Sequence, residues 1–485
     1  MSRKTISIDP ITRLEGHGKI EIFLDEDGLP EDAVLQVPEL RGFEEFCRGR
    51  VAEDMPRITE RICGVCPEAH HFASTKALDN ALSASPPPTA LNLRKLLYNS
   101  YIFADHLLHL FYLGGPDFLA KGADKKDRNI VGVLNSLGEE VGSRLLRTRR
   151  LAHEAIEVIG GHQVHPVTGV PGGMSAGITE DERGRLKEIA DNALGFAEDS
   201  LDLFHTKWFD EDRMGYLLRN SDFSLNTYYM GLVDRDGRVS YYDGRVRVID
   251  PAGEKLFEVN EEEVEDLLRE HVEPWTYVKF PYLKEVGWKD FSPGPESGIF
   301  RVGPLGRLNV ADGMKTDRAQ GEYERFMEYF DGGPVHHTYA YHWARLVELL
   351  QAAERMVELS RREDLTGEEV RNETRAPGSG VGVIEAARGT LIHSYELDDN
   401  AVVRGANMIV PTTNNSAALS ISIRDSALQA IERDEADEGV LNQVEMGFRP
   451  YDPCLACSTH SIDGGMDIGV QIYDSNGEPV KELNR

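Results

Sequence analysis

Two short runs constrain this chain more than anything else in it: Arg61-Ile62-Cys63-Gly64-Val65-Cys66-Pro67 and Asp452-Pro453-Cys454-Leu455-Ala456-Cys457-Ser458-Thr459-His460. Each holds a C-x-x-C pair, a spacing that lets two thiolates reach one metal ion from a single turn. Together they offer four sulfur ligands of the kind that soft and borderline metals prefer. In an arbitrary protein such pairs make a structural zinc site or a thiol redox site. The separation argues against a local zinc staple. The pairs begin at 63 and 454, 391 positions apart in a chain of 485 residues, whereas zinc ribbons space theirs by about 15 to 20 residues. A site that closes both ends of a chain onto each other belongs at the centre of the fold.

Composition narrows the partners. With 53 Lys+Arg against 83 Asp+Glu the net charge is −30, and no basic cluster exists to hold a nucleic acid. A hydrophobic fraction of 40% is enough for a large core, which excludes a disordered chain. No run approaches the 18 or so apolar residues of a membrane span, and Met1–Asp9 lacks the apolar segment of a signal peptide, so the expectation is a cytoplasmic protein without a membrane span. Five cysteines are too few for a disulfide framework. Cys47, outside both pairs, reads as a small core residue.

Hydrophobic periodicity predicts a mainly α chain with smaller β regions (α+β), a helical body carrying a peripheral β insertion. Residues 1–43 form an N-terminal β region, with Ile6, Ile8, Ile20, Ile22 and Leu24 alternating and a turn at Asp27-Gly28. Residues 44–220 form the helical body. It contains a helical pattern from 44 to 84, a long helix after Pro86-Pro87-Pro88 capped by Thr89, a block from 126 to 159 ending at Gly160-Gly161, and another from 180 to 207. Residues 221–300 form the β-rich insertion. Residues 301–460 return to a long helix at 339–361, strands at 381–413 and a helix to about 433.

The cysteine runs resemble the two ligand motifs of the large, catalytic subunit of nickel-iron hydrogenases. The resemblance continues through Asp9-Pro10-Ile11-Thr12-Arg13-Leu14-Glu15-Gly16-His17, Arg41-Gly42-Phe43-Glu44, Ala387-Arg388-Gly389 and Pro411-Thr412-Thr413, in the family's order and across the whole chain. The stretches Ala386–His393 and Gly160–Gly173 are most similar to the cytoplasmic branch, which includes viologen-reducing enzymes coupled to heterodisulfide reductase and NAD(P)-linked enzymes.

The resemblance implies a set of roles. Cys63 and Cys454 are terminal ligands to nickel, and Cys66 and Cys457 bridge it to an iron bearing carbon monoxide and cyanide; H2 is exchanged there for two protons and two electrons. Cys454 takes a proton first and Glu15 relays it, its carboxyl pKa raised by burial and by nearby thiolates. Arg388 hangs over the open position, with Asp105 beside it. Thr412, after Pro411, donates to a cyanide, and His70 donates to a bridging sulfur. Glu44 and His460 hold a separate Mg2+ or Fe2+, as a carboxylate and an imidazole suit a hard octahedral ion; in an ordinary protein Glu44 pairs instead with Arg41 or Arg48. A maturation protease removes residues 461–485, a propeptide whose alternation at Ile468, Val470 and Ile472 and Asn476-Gly477 turn predict a hairpin.

Only Cys47 remains outside the two pairs, too few to ligate iron-sulfur clusters, which places those on a small partner subunit with further electron-acceptor subunits beyond it. No G-x-G-x-x-G or flavin fingerprint occurs in this chain. Two other readings remain: a non-catalytic, metal-stapled subunit related to respiratory-complex proteins, and a di-iron enzyme built on Glu68-x-x-His71, for which no second E-x-x-H is well placed.

Overall fold

The longest apolar stripe in the sequence becomes the axis of the molecule. In the computed structural model, which describes residues 5–120, 127–209, 214–431, 438–459, 469–473 and 479–484, helix Pro88–Leu108 is buried along nearly its whole length. It packs against helices Ala340–Ser360 and Glu139–Gly160, and Ala340–Ser360 in turn packs on Glu180–Leu203. About 49% of the chain is helical and 18% is strand. The α+β expectation therefore holds.

Local chemistry moves several element boundaries. Thr89 does not cap the central helix. Pro87 occupies the cap position and Pro88 the first turn, where a missing N–H leaves no donor unsatisfied, and the Thr89 hydroxyl donates to Asp364 O at 2.9 Å. The helical pattern from 44 to 84 is broken into Phe43–Cys47, Met55–Thr59 and Pro67–Ala81. Proline at the start of the last piece stops the helix from beginning any earlier, which leaves Cys63–Cys66 as a loop. The block from 126 to 159 divides at Gly138 (φ 85°) into Ile130–Leu137 and Glu139–Gly160.

The N-terminal segment is a three-stranded antiparallel sheet, Thr5–Ile8, Lys19–Leu24 and Pro30–Gln36, with Ile20, Ile22 and Leu24 on its buried face. In the 221–300 region strand Tyr228–Val233 is buried throughout. Its neighbours Arg245–Ile249 and Lys255–Val259 become progressively more exposed, so the insertion is peripheral only at its outer edge. A third sheet joins Ser379–Ala386, Gly389–Leu397 and Val403–Ile409. Ala386 pairs with Gly389, so Ala387 and Arg388 are the two residues of a tight hairpin turn. At the far end Gly469–Tyr473 pairs with Pro479–Asn484, the expected tail hairpin; its Asn476-Gly477 turn lies outside the described residues. No helix among the described residues is long and apolar enough to cross a membrane.

Candidate metal centre

The break before Pro67 and the loop before His460 are brought together at the core. Cys63 leaves a short turn in extended conformation (φ −139°, ψ 144°), and Cys66 caps helix Pro67–Ala81. Cys454 and Cys457 lie around the short turn Ala456–Ser458. The distal run is pinned by the N-terminal segment: Leu455 N–H donates to Glu15 O at 2.8 Å and Glu15 N–H to Pro453 O at 3.4 Å. Gly16 makes this approach possible. Its φ is +86°, and a Cβ there would lie 2.5 Å from Ala456 N. Arg41 then ties both runs with one nitrogen, Nη1 donating to Ile62 O at 2.6 Å and to Ala456 O at 3.1 Å.

All four thiols are buried and free, with their sulfurs within 4.8 Å of one another. Cys63 lies 3.3 Å from Cys454, Cys66 3.5 Å from Cys457, and Cys454 2.7 Å from Cys457. The hydrogen bonds of the other three thiols hold Cys63 well below the ordinary thiol range, whereas burial raises Cys454 and Cys457 well above it. Four sulfurs this close and this deeply buried resist ionising together. Ionising all four in a dry pocket requires cationic charge between them, which is the donor set of a thiolate-held metal centre.

Around the sulfurs stands a ring of charge. Glu15 Oε2 accepts from Cys454 Sγ at 3.0 Å and from Ala456 N–H at 3.1 Å. Burial, then the Cys63 thiolate, raises its carboxyl pKa against these two hydrogen bonds. Arg388 makes a two-point pair with Asp105 (2.9 and 3.0 Å), while its Nε donates to Asp452 O at 2.8 Å and its Nη2 lies 3.1 Å from the Asp452 carboxylate. Burial pushes Asp105 up to about 6 despite Arg388. It also opposes Asp452, which Arg388 and His109 nonetheless hold below the usual carboxylate range.

A profile described as "Nickel-dependent hydrogenase" matches residues 41–130 and 276–460 of this sequence, and a "HoxL-like" profile matches residues 5–40. An F420-non-reducing hydrogenase iron-sulfur subunit of Archaeoglobus profundus is 42% identical over 483 residues, 99% of each chain. The chain belongs to the nickel-dependent hydrogenase family. The "NAD-reducing hydrogenase HoxS subunit beta" of Cupriavidus necator is 36% identical over 503 residues, all of both chains. The crystal structure of an NAD+-reducing [NiFe]-hydrogenase in the H2-reduced state superposes with a TM-score of 0.89 at 37% identity, over 95% of this chain and 100% of that one. As a large subunit of this family the protein is an oxidoreductase acting on H2.

The hydrogenase site gathers most of the residues picked out from the sequence. Thr412 lies at the start of helix Pro411–Ala430, where its hydroxyl oxygen accepts from Cys454 N–H at 3.0 Å. His70 Nδ1 is 3.1 Å from His393 Nε2, and His393 Nδ1 is 3.1 Å from the Tyr395 hydroxyl. Glu44 is buried on the wall of a cavity of about 430 Å3 that Tyr395 also lines. Arg41 donates to carbonyl oxygens and Arg48 pairs with Glu45 at 2.9 Å. His460 lies outside the described residues. Cys47 is a buried core residue whose thiol burial pushes up to about 12.

The di-iron alternative fails on His71, whose Nε2 accepts from Gly169 N–H at 3.1 Å while Nδ1 donates to Pro56 O at 3.2 Å, leaving no lone pair for a metal. Sequence reading assigned no role at the centre to Asp452 or His109, and to Arg41 only an ordinary ion pair with Glu44. Asp452 and Arg41 were already present in the recognised motifs. His109 Nδ1, 3.2 Å from Asp452, carried only the signal of helical spacing, four residues after Asp105.

Proposed function

We propose that this hydrogenase subunit moves the proton of heterolytic H2 cleavage from Cys454 Sγ to Glu15 Oε2, and that the 3.0 Å contact between those two atoms carries the reading. Cys63, Cys66, Cys454 and Cys457 would hold a nickel-iron pair with carbon monoxide and cyanide on the iron, which would supply the redox chemistry that exchanges H2 for two protons and two electrons. A carboxyl raised by burial and by a neighbouring thiolate is matched to accept from a thiol and release to water. Arg388, fixed by Asp105 and Asp452, presents a guanidinium that no solvent competes for. Thr412 accepts from Cys454 N–H with its oxygen and keeps its proton, which it would donate to a cyanide of the bound group. Glu44 and His460 would hold a second, hard cation such as Mg2+, and cleavage after His460 by a maturation protease would remove 461–485.

Electrons leave through an iron-sulfur small subunit and further subunits of a cytoplasmic complex. Support for a partner-bound role comes from relatives that are named as individual subunits of larger hydrogenases. A heterodisulfide-reductase-type acceptor is favoured over NAD(P), because the F420-non-reducing relatives reach 42% identity against 36% for the NAD-reducing one. Viologen reduction without NAD+ reduction by the purified complex supports this choice, and H2-driven NAD+ reduction reverses it.

The test of the site is infrared spectroscopy in the carbonyl and cyanide region with nickel and iron measured alongside. Bands with one nickel and one iron per chain are expected; one zinc per chain and no bands would sink the assignment. Glu15→Gln is expected to keep metal content and lose proton–deuterium exchange with H2 by at least about a hundredfold. Full exchange would remove Glu15 from the relay.

A further inference from the structure

The hairpin turn that carries Arg388 rests on a second arginine. Arg307, on helix Pro304–Val310, is wholly buried, and each of its five N–H donors has its own acceptor. Nε donates to Glu348 Oε1 at 2.5 Å. Nη1 donates to Glu385 Oε2 at 2.7 Å and Ala386 O at 2.8 Å, and Nη2 to Glu348 Oε2 at 2.6 Å and Ala387 O at 3.1 Å. The two carbonyls belong to the residues directly before Arg388. Glu385 is held in turn by Leu232 N–H at 3.0 Å and by the Thr390 hydroxyl at 2.7 Å, so the turn is gripped on both strands.

Glu348 carries the grip to the other half of the pair. Its Oε2 lies 3.0 Å from His106 Nε2, and His106 is the neighbour of Asp105 on the central helix. Burying an ion pair seldom stabilises more than well-packed apolar side chains of the same volume would. What a fully used guanidinium supplies is position: a planar fork with five fixed directions, which a three-donor lysine does not reproduce.

We infer that Arg307 is a positioning residue for the hydrogen chemistry, fixing the Arg388 turn directly and the Asp105 helix through Glu348, so that the two-point Arg388–Asp105 pair is set above the cysteine cluster. The inference rests on the reading that Arg388 works at the metal centre. It places a functional requirement on a side chain that touches neither metal ligand nor substrate.

The test uses the assembled, metal-loaded enzyme with Arg307→Lys, Arg388→Lys and the double variant. Arg307→Lys is expected to keep nickel and iron, to shift the cyanide infrared bands, and to lower H2 turnover per nickel between about ten- and a hundredfold. In the Arg388→Lys background the same change is expected to cost nothing further, since both act through one group. Unmoved bands with parental turnover in Arg307→Lys overturn the inference, whatever happens to its melting temperature. So does a loss that persists in full on top of Arg388→Lys. An Arg388→Lys enzyme with parental turnover instead removes the functional reading underneath. If Arg307→Lys does not accumulate, Glu348→Gln, which keeps the shape and loses the charge, is read by the same bands and the same double variant.

Discussion

Cys63 and Cys66 stand at the entrance of helix Pro67–Ala81, whereas Cys454 and Cys457 lie among short turns, Arg449–Tyr451 and Ala456–Ser458. The proximal pair takes its geometry from its immediate neighbours in the chain: a proline that sets the start of a helix, and a helix that packs on strand Ser379–Ala386. The distal pair takes its geometry from residues distant in the chain, Glu15 and Arg41 hundreds of positions away and Thr412 at 42 positions. Glu15 pairs with its backbone, Arg41 holds Ala456 O, and Thr412 receives Cys454 N–H. Just before it, buried Arg449 is anchored on Asp117 at 2.9 Å and on Glu445. One half of the ligand set is built by local order and the other by long-range polar contacts. The distal half is therefore the part that can be dislodged while the rest of the fold stands.

Glycine substitutions test that difference most severely. At Gly16 a methyl group meets Ala456 N at 2.5 Å in a left-handed backbone, while at Gly64, inside the proximal loop, a Cβ meets nothing within 4 Å. Gly16→Ala is expected to cost about 2 kcal/mol or more in backbone strain alone and to lose most of the bound nickel. Gly64→Ala is expected to keep it. Nickel per chain after maturation is the measurement, and equal losses in the two variants would break the comparison.

Arg41→Ala comes next, because that side chain hydrogen-bonds both runs, to Ile62 O and to Ala456 O. Hydrogen bonds from a charged donor contribute about 1.5 to 3 kcal/mol each, and both carbonyls would be left to water or to nothing. A lower melting temperature and weaker nickel retention are expected together, with Arg41→Lys recovering part of each. Parental nickel retention in Arg41→Ala would show that the two runs hold each other without it.

The same division explains what was legible in the sequence. The four ligands, Glu15, Arg388 and Thr412 stand in recognisable runs. The alternation of Ile20, Ile22 and Leu24 and the stripe on Pro88–Leu108 gave a strand and a helix where the structure has them. Hidden were features that depend on distant partners. A helical pattern from 44 to 84 does not show that Pro67 interrupts it, and the run Ala387-Arg388-Gly389 does not show that Arg388 sits in a hairpin turn until Ala386 is seen paired with Gly389. Arg307 was invisible for the same reason. A lone arginine in Gly303-Pro304-Leu305-Gly306-Arg307 carries no mark of five buried acceptors until three other elements fold around it.

The smallest effect sharpens the proximal side, where Glu60 lies three residues before Cys63. Its side chain is wholly buried, with neither oxygen hydrogen-bonded among the described residues. The Arg61 guanidinium is 3.4 Å away and His71 Nδ1 3.6 Å away. Burial pushes the carboxyl up to about 8, against Arg61 and Arg57, and burial also lowers His71 to about 4, so no imidazolium compensates it near neutral pH. A carboxyl raised in the folded state favours folding while protonated. Its contribution is fully present below about pH 4.5 and is lost as pH rises through about 8. Glu60→Gln keeps the shape without the titration. The melting temperature of the parent is thus expected to fall more steeply between pH 6 and pH 9 than that of Glu60→Gln, with the variant the more stable of the two at pH 9. Melting curves at matched ionic strength and matched metal content decide it. An unchanged slope would mean that the proximal run opens enough in the folded state to hydrate Glu60, and the claim that this half is held by local order would lose its support.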